Sequence, residues 1–154
     1  MEALSNGKYY IRHLRNPVSR YHIEDASLNP KPVYSLPPGS DEQSWDIERI
    51  GDAYVFSNPN GAPTAAISRK GHEYLFAVIN GEEPTKWKIE SVVSAGFSLY
   101  VIKAADSGKF WVNSAPESDA PSTKMNQIEV KTLILQPVEP PRYPSEAVFE
   151  IARA

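Results

Sequence analysis

The sequence contains no cysteine. This absence excludes disulfide bonds, thiol nucleophiles and thiolate zinc sites. No apolar run approaches the roughly 20 residues that a membrane-spanning helix needs. The first residues also lack a basic segment followed by an apolar one, which a secretory signal would show. We therefore expect no membrane segment and a cytoplasmic location.

The sequence also lacks the groupings of residues from which active sites are built. No glycine-rich phosphate loop and no Gly-x-Ser-x-Gly elbow is present. His13, His22 and His72 show no metal-ligand spacing, and we expect them to be exposed or half-buried strand residues. The net charge is -3 without a basic stripe, which gives no reason to expect nucleic acid or an anionic membrane as a partner. We expect no enzyme, no metal and no cofactor, and we interpret the chain as a binding protein.

What the chain does have is enough apolar material for one core: 154 residues, 41% of them hydrophobic. We expect a single domain over residues 1–154 and, by default, a monomer. Fourteen prolines, spread from Pro17 to Pro144, interrupt every long helical stretch. Apolar alternation of period two in short segments predicts an all-β fold. The predicted strands are 8–14, 21–25, 33–36, 45–50, 53–57, 64–68, 74–79, 86–92, 98–104, 110–113, 129–135 and 148–152.

A weak internal repeat appears when these twelve strands are taken in fours. The first strands of the three groups contain Tyr10, Tyr54 and Tyr100, which are 44 and 46 residues apart, and the fourth strands contain Trp45, Trp87 and Phe149. Three units of four strands without a helix predict a β-trefoil, a six-stranded barrel capped by three hairpins. The alternatives are a β-sandwich or another antiparallel barrel.

On a rigid β scaffold, function is expected in the loops. The first candidate runs from Glu24 to Pro32 and contains Pro30 and Pro32, which hold the segment extended. A rigid, exposed, extended segment is what a protease cleft binds as a substrate mimic, since preorganisation reduces the entropy lost on binding. The alternative interpretation is a plain connection whose prolines block edge pairing. The candidate protease-binding residues in this loop are Ala26, Ser27, Leu28, Asn29, Pro30 and Lys31.

A second candidate precedes the last strand, where Arg142 and Tyr143 are flanked by Pro141 and Pro144. An exposed arginine on a proline-stiffened loop could fill an acidic specificity pocket through a charge-assisted pair, and the alternative interpretation is an ordinary surface arginine. A third candidate is Asn60-Gly61, which is first of all a turn signal. It could also present an asparagine to an asparagine-specific peptidase.

Four segments of the first 50 residues form a recognisable series: Lys8-Tyr9-Tyr10-Ile11-Arg12, Glu24-Asp25-x-Ser27-Leu28-x-Pro30-Lys31, Val33-x-x-Leu36-Pro37 and Trp45-x-Ile47-Glu48. With these segments the sequence resembles the cospin-type serine protease inhibitors of mushrooms. The resemblance covers nearly the whole chain in strand order and is most specific in the first 50 residues. These inhibitors are β-trefoils, related in architecture to the fungal mycocypins, which inhibit cysteine proteases.

The resemblance implies reversible inhibition of a trypsin-, chymotrypsin- or elastase-like serine protease by one loop, without covalent modification. In cospin the inhibitory loop resembles the one after the second strand, whereas a sister inhibitor uses the loop before the last strand. Trypsin requires Lys or Arg followed by a residue other than proline, but Lys31 here precedes Pro32. The bonds Ala26–Ser27 and Leu28–Asn29 remain, and they suggest an elastase- or chymotrypsin-like target. The loop matching the papain-binding loop of mycocypins, 15–19, lacks glycine, which argues against papain.

A lectin is the rival interpretation. Ricin-type β-trefoil lectins carry Gln-x-Trp in each repeat, and Gln43-Ser44-Trp45 is such a match. The motif occurs once, and a tryptophan in the fourth strand is typical of core packing. We therefore favour the inhibitor over carbohydrate binding.

Overall fold

The computed structural model describes residues 4–21, 24–58, 61–92, 96–114, 125–135, 138 and 142–154, and over these residues the fold is all-β. They contain thirteen strands and one 3₁₀ turn at Ser145–Ala147. The strands are β1 Gly7–His13, β2 Asn16–Arg20, β3 Lys31–Ser35, β4 Trp45–Ile50, β5 Ala53–Ser57, β6 Thr64–Arg69, β7 His72–Ala77, β8 Trp87–Ser91, β9 Leu99–Ala104, β10 Phe110–Val112, β11 Asn126–Gln127, β12 Glu129–Lys131 and β13 Phe149–Arg153.

Six of these strands close into a ring through antiparallel pairing. β1 pairs with β4, β4 with β5, β5 with β8, β8 with β9, β9 with β13, and β13 returns to β1. The hairpins β2–β3, β6–β7 and β10–β12 are joined to one another through β3–β7, β7–β12 and β11–β3. The molecule is thus a six-stranded barrel with three linked hairpins.

The aromatic repeat occupies equivalent positions in the barrel. Trp45, Trp87 and Phe149 are fully buried, and each pairs with a tyrosine of the first strand of its own unit. Trp45 Nε1 donates to the carbonyl of Val18 at 2.8 Å, and Trp87 Nε1 to Thr64 Oγ1 at 2.9 Å. Both bonds therefore tie a fourth strand to the second strand of the same unit. In the first unit the paired tyrosine is Tyr9, so the predicted equivalence of Tyr10 was wrong by one residue.

Two strand predictions were also wrong. The second strand was predicted at 21–25 but is formed by 16–20, because the chain turns earlier, at Leu14 and Arg15, whose φ angles are 49° and 71°. The predicted strand 129–135 forms only over Glu129–Lys131, as β12, and the unpredicted short strand β11 precedes it, so the described residues contain thirteen strands where twelve were expected. β11 and β12 are separated by Ile128, whose N–H donates to the carbonyl of Val33 while its own carbonyl accepts from Leu75 N–H. Ile128 therefore bridges β3 and β7.

Candidate functional site

The connection between β2 and β3 presents an apolar side chain to solvent. Its described part, which we call the 24–30 loop, has five consecutive exposed residues from Asp25 to Asn29. Leu28 is 61% exposed, although leucine is normally buried. Pro30 is half-buried at the point where the loop enters β3. The loop thus offers Ala26 and Leu28, the two small or apolar residues predicted as anchors, to a partner.

Ionic contacts hold both ends of this loop. At the first end, the Arg20 guanidinium donates to both carboxylate oxygens of Glu24, at 2.7 and 3.0 Å, and also to Asn58 Oδ1 at 3.2 Å. At the second end lies Lys31, which the structure places in β3 and buries to 4% exposure. Its ammonium donates to the Asp25 carboxylate at 2.5 Å and to the Asp25 carbonyl at 2.9 Å. Lys31 therefore faces the inside of the loop and is not presented to solvent.

A chain of short-range hydrogen bonds fixes the middle of the loop. Asp25 Oδ1 accepts from the Ser27 N–H at 3.0 Å and from the Ser27 hydroxyl. Ser27 Oγ in turn accepts from the Asn29 N–H at 3.2 Å. The bonds from Lys31 and Ser27 stabilise the charged carboxylate and lower the pKa of Asp25 to about 2. The nitrogens of the Ala26–Ser27 and Leu28–Asn29 peptide bonds are consequently both held by side chains of the loop itself.

The second predicted loop is described from Arg142 onward, whereas Pro137 and residues 139–141 lie outside the described residues. Arg142 is exposed, and the half-buried Tyr143 packs its ring 5.8 Å from that of Phe110. The Tyr143 hydroxyl lies 3.4 Å from a carboxylate oxygen of Glu90. The two predicted residues therefore differ: Arg142 is available to a partner, and Tyr143 anchors the chain to the barrel.

A buried histidine supports the same loop from below. His13 was expected to be exposed or half-buried, but it is 2% exposed and packs on Phe149. Its Nε2 donates to the Ser145 carbonyl at 2.9 Å, and its Nδ1 accepts from the Asn113 amide at 3.1 Å. Burial lowers the pKa of His13, against the opposing effect of the Ser145 carbonyl. Sequence patterns missed this role because the partners Asn113 and Ser145 lie 100 and 132 positions away in the chain.

The remaining predictions have less structural support. Gln43 Oε1 accepts from the buried Ser19 hydroxyl at 3.1 Å, and the Trp45 ring is fully buried, so neither is arranged to bind a sugar. The segment that matches the papain-binding loop of mycocypins, 15–19, lies mostly in strand β2. Asn60 and His22 lie outside the described residues. Within the part of the chain that the structure describes, no cluster of three metal-binding side chains occurs and no helix is long and apolar enough to span a membrane.

The described residues combine a closed all-β barrel with exposed loops that are held at their ends, and such a fold does not by itself define a function. Comparison with known proteins gives the family. The sequence profile of the peptidase inhibitor I66 family matches residues 1–153, and the chain belongs to that family. The expectation that the chain is an inhibitor and not an enzyme is confirmed by this membership.

Individual relatives agree with the family assignment. A serine protease inhibitor of Lentinula edodes is 42% identical over 153 residues, which cover 98% of this chain and 99% of the relative. The solved proteinase inhibitor from Coprinopsis cinerea is 29% identical with a TM-score of 0.82, and the match covers 99% of this chain and 100% of the other. A ricin B-like lectin of Macrolepiota procera, solved with lactose, is 15% identical with a TM-score of 0.70 over the full length of both chains. At that identity the lectin shows similarity of fold alone.

Proposed function

We propose that this chain is a reversible inhibitor of serine proteases that acts through the 24–30 loop, with Leu28 as the anchor residue. The single observation that carries the proposal is a leucine left 61% exposed on a loop whose flanks are braced on both sides. An apolar side chain exposed on a preorganised loop loses little conformational entropy on binding and gains free energy from burial of the apolar surface that is still exposed. An apolar specificity pocket, of the chymotrypsin or elastase type, fits this side chain.

Hydrogen bonds within the loop oppose its hydrolysis by the protease. If the protease serine attacks the Leu28 carbonyl, the bond that breaks is Leu28–Asn29, and the Asn29 nitrogen is the leaving group. That nitrogen is held on Ser27 Oγ at 3.2 Å, and Pro30 and β3 fix the chain that follows. A leaving amine that stays in place favours re-formation of the peptide bond over hydrolysis. Inhibition is therefore expected to be reversible, with nothing consumed and no metal needed.

Trypsin is not the expected target of this loop. The residues from 24 to 30 include no Lys or Arg, and Lys31 is buried and followed by Pro32. The second candidate site, favoured by one observation, is Arg142: its side chain is exposed directly beside the anchored Tyr143. Through that loop the protein would inhibit a trypsin-like enzyme, whose pocket is acidic.

We further propose that residues 1–154 form one β-trefoil domain. The closed ring of six strands, the three linked hairpins and the equivalent pairings of Trp45, Trp87 and Phe149 support it. The fold likeness to a ricin B-like lectin also supports it.

A protease panel tests the proposed function. The purified protein is titrated against trypsin, chymotrypsin, elastase, subtilisin and papain, with and without EDTA, and a glycan array is run beside it. The expected result is tight, EDTA-insensitive inhibition of chymotrypsin or elastase. No inhibition of any serine protease, together with specific glycan binding, would instead favour the lectin.

A further inference from the structure

We propose that Lys31 is a positioning residue of the 24–30 loop: its buried ammonium, held on the carboxylate and carbonyl of Asp25, fixes the conformation in which Leu28 is presented. This inference rests on the proposed function, because it assigns to Lys31 a role in inhibition without contact to the protease. The sequence pattern had placed Lys31 among the contacting residues.

Because Lys31 is buried in β3, its ammonium needs a hydrogen-bond partner, and Asp25 of the loop provides it. Lys31, Val33 and Ser35 are the inward-facing residues of the strand, and Lys31 is only 4% exposed. Asp25, by contrast, keeps 68% of its side chain exposed. The hydrogen bonds described for Lys31 Nζ both end on Asp25, at 2.5 and 2.9 Å. A buried cation without a partner is costly, so movement of Asp25 away from Lys31 is disfavoured.

The constraint passes from Lys31 to the bond that faces the protease. The carboxylate oxygen of Asp25 that receives Lys31 also receives the N–H and the hydroxyl of Ser27. Ser27 Oγ then accepts a hydrogen bond from the nitrogen of Asn29, which is the amide nitrogen of the Leu28–Asn29 peptide bond. The contacts among Asp25, Ser27 and Asn29 are exposed to water, where such bonds contribute little by themselves. Lys31 is the buried residue among these four, and its contact fixes the position of the Asp25 carboxylate, to which the exposed Ser27 is bonded.

A purely structural role for Lys31 makes a different prediction. Removing one partner of an ion pair is costly for the fold when the other charge is left buried. Asp25 keeps 68% of its side chain exposed, so its carboxylate would stay hydrated after loss of the Lys31 ammonium, and the cost of desolvating that ammonium would disappear. Lys31→Met keeps an unbranched chain at the inward position of β3 and removes only the ammonium. Stability and inhibition should therefore separate in this variant, whereas a merely structural lysine would change both together or neither.

The test compares Lys31→Met with Lys86→Met, which removes an exposed lysine elsewhere, and with Asp25→Ala and the double variant Lys31→Met/Asp25→Ala. For each we measure the thermal midpoint, the inhibition constant against the protease that the wild type inhibits best, the rate of hydrolysis at Leu28–Asn29, and hydrogen exchange of the Asn29 amide in the free protein. We expect Lys31→Met to keep the thermal midpoint of the wild type, to inhibit about tenfold or more weakly, and to be cleaved and exchanged faster.

The double variant should be no weaker than Asp25→Ala alone, because loss of the Asp25 carboxylate already removes its bonds to Lys31 and to Ser27. Lys86→Met should match the wild type. Unchanged inhibition and unchanged Asn29 exchange in Lys31→Met would overturn the role of Lys31, as would additive effects in the double variant. The variant Leu28→Asp separates this failure from that of the proposed function. If it inhibits like the wild type, the loop is not the inhibitory site and both proposals fail. If it is inactive, the loop is the site, and the Lys31 variants decide the role of Lys31 by themselves.

Discussion

Replacing Leu28 by aspartate should remove the inhibition of chymotrypsin- or elastase-like enzymes. Burial of a whole leucine side chain is worth about 1.5–3 kcal/mol, and 61% of Leu28 is still available for burial. The available gain is therefore about 1–2 kcal/mol. A carboxylate at the same place loses this gain and must also be desolvated in an apolar pocket, so the total penalty reaches about 2–4 kcal/mol, or roughly 30- to 1,000-fold in affinity.

The assay is the inhibition constant of each variant at fixed pH and ionic strength, together with its thermal midpoint. Because Leu28 is exposed and Leu28→Asp touches no core contact, the midpoint should stay within a few degrees of the wild type. Ile50→Asp is the matched control, since Ile50 is an exposed aliphatic residue, 40% exposed, at the end of β4. If Leu28→Asp inhibits every sensitive protease within a factor of about three of Ile50→Asp, which is less than 1 kcal/mol, the assignment of the anchor is refuted.

Three further predictions concern other parts of the molecule. Arg142→Glu should abolish any inhibition of trypsin and spare that of chymotrypsin, because its carboxylate would face the acidic pocket; equal effects on both enzymes would contradict two separate sites. Because burial lowers the pKa of His13, the unfolded state binds a proton first as the pH falls below about 6.5, so stability should fall from that pH down to the folded-state pKa. Urea unfolding across that pH range should show the free energy of unfolding falling with pH in the wild type but not in His13→Gln. Trp87→Phe leaves Thr64 Oγ1 without the buried indole donor and should cost about 1–3 kcal/mol in chemical denaturation, while an unchanged unfolding midpoint would mean that this bond contributes nothing.

Local patterns were sufficient for the barrel strands. The predicted bounds of β4 and β5, 45–50 and 53–57, agree with the structure because two segments rich in β-forming residues are separated there by the Gly51 turn. The strand β2 was missed for the converse reason. Asn16-Pro17 looks like a turn, whereas the actual turn uses Leu14 and Arg15, two residue types that rarely take positive φ. Propensity is a weak guide where strand pairing on both sides decides the conformation.

The candidate loops were predictable, but not the way in which they are held. Prolines and turn residues mark both loops as exposed segments, and the anchors Leu28 and Arg142 are exposed. A lysine in an alternating segment does not reveal whether its ammonium turns outward or folds back onto a carboxylate six residues earlier, as Lys31 does. The burial of His13 depends on Asn113 and Ser145, which only the closed barrel brings to it. Both errors arise because side-chain partners are chosen by tertiary packing.

The two loops are held by contacts of very different range. The bonds among Asp25, Ser27, Asn29 and Lys31 join residues two to six positions apart, and Arg20 adds one bond to Asn58, 38 positions away. Most of the contacts described for the 24–30 loop therefore lie within the β2–β3 hairpin. The loop that carries Arg142 depends instead on contacts 53 and 132 positions apart in the chain. Its shape therefore requires an intact barrel, and local opening of the barrel would release it first. A loop that must remain rigid inside a protease cleft is better served by the short-range arrangement, which is a further physical reason to place the inhibitory site at Leu28.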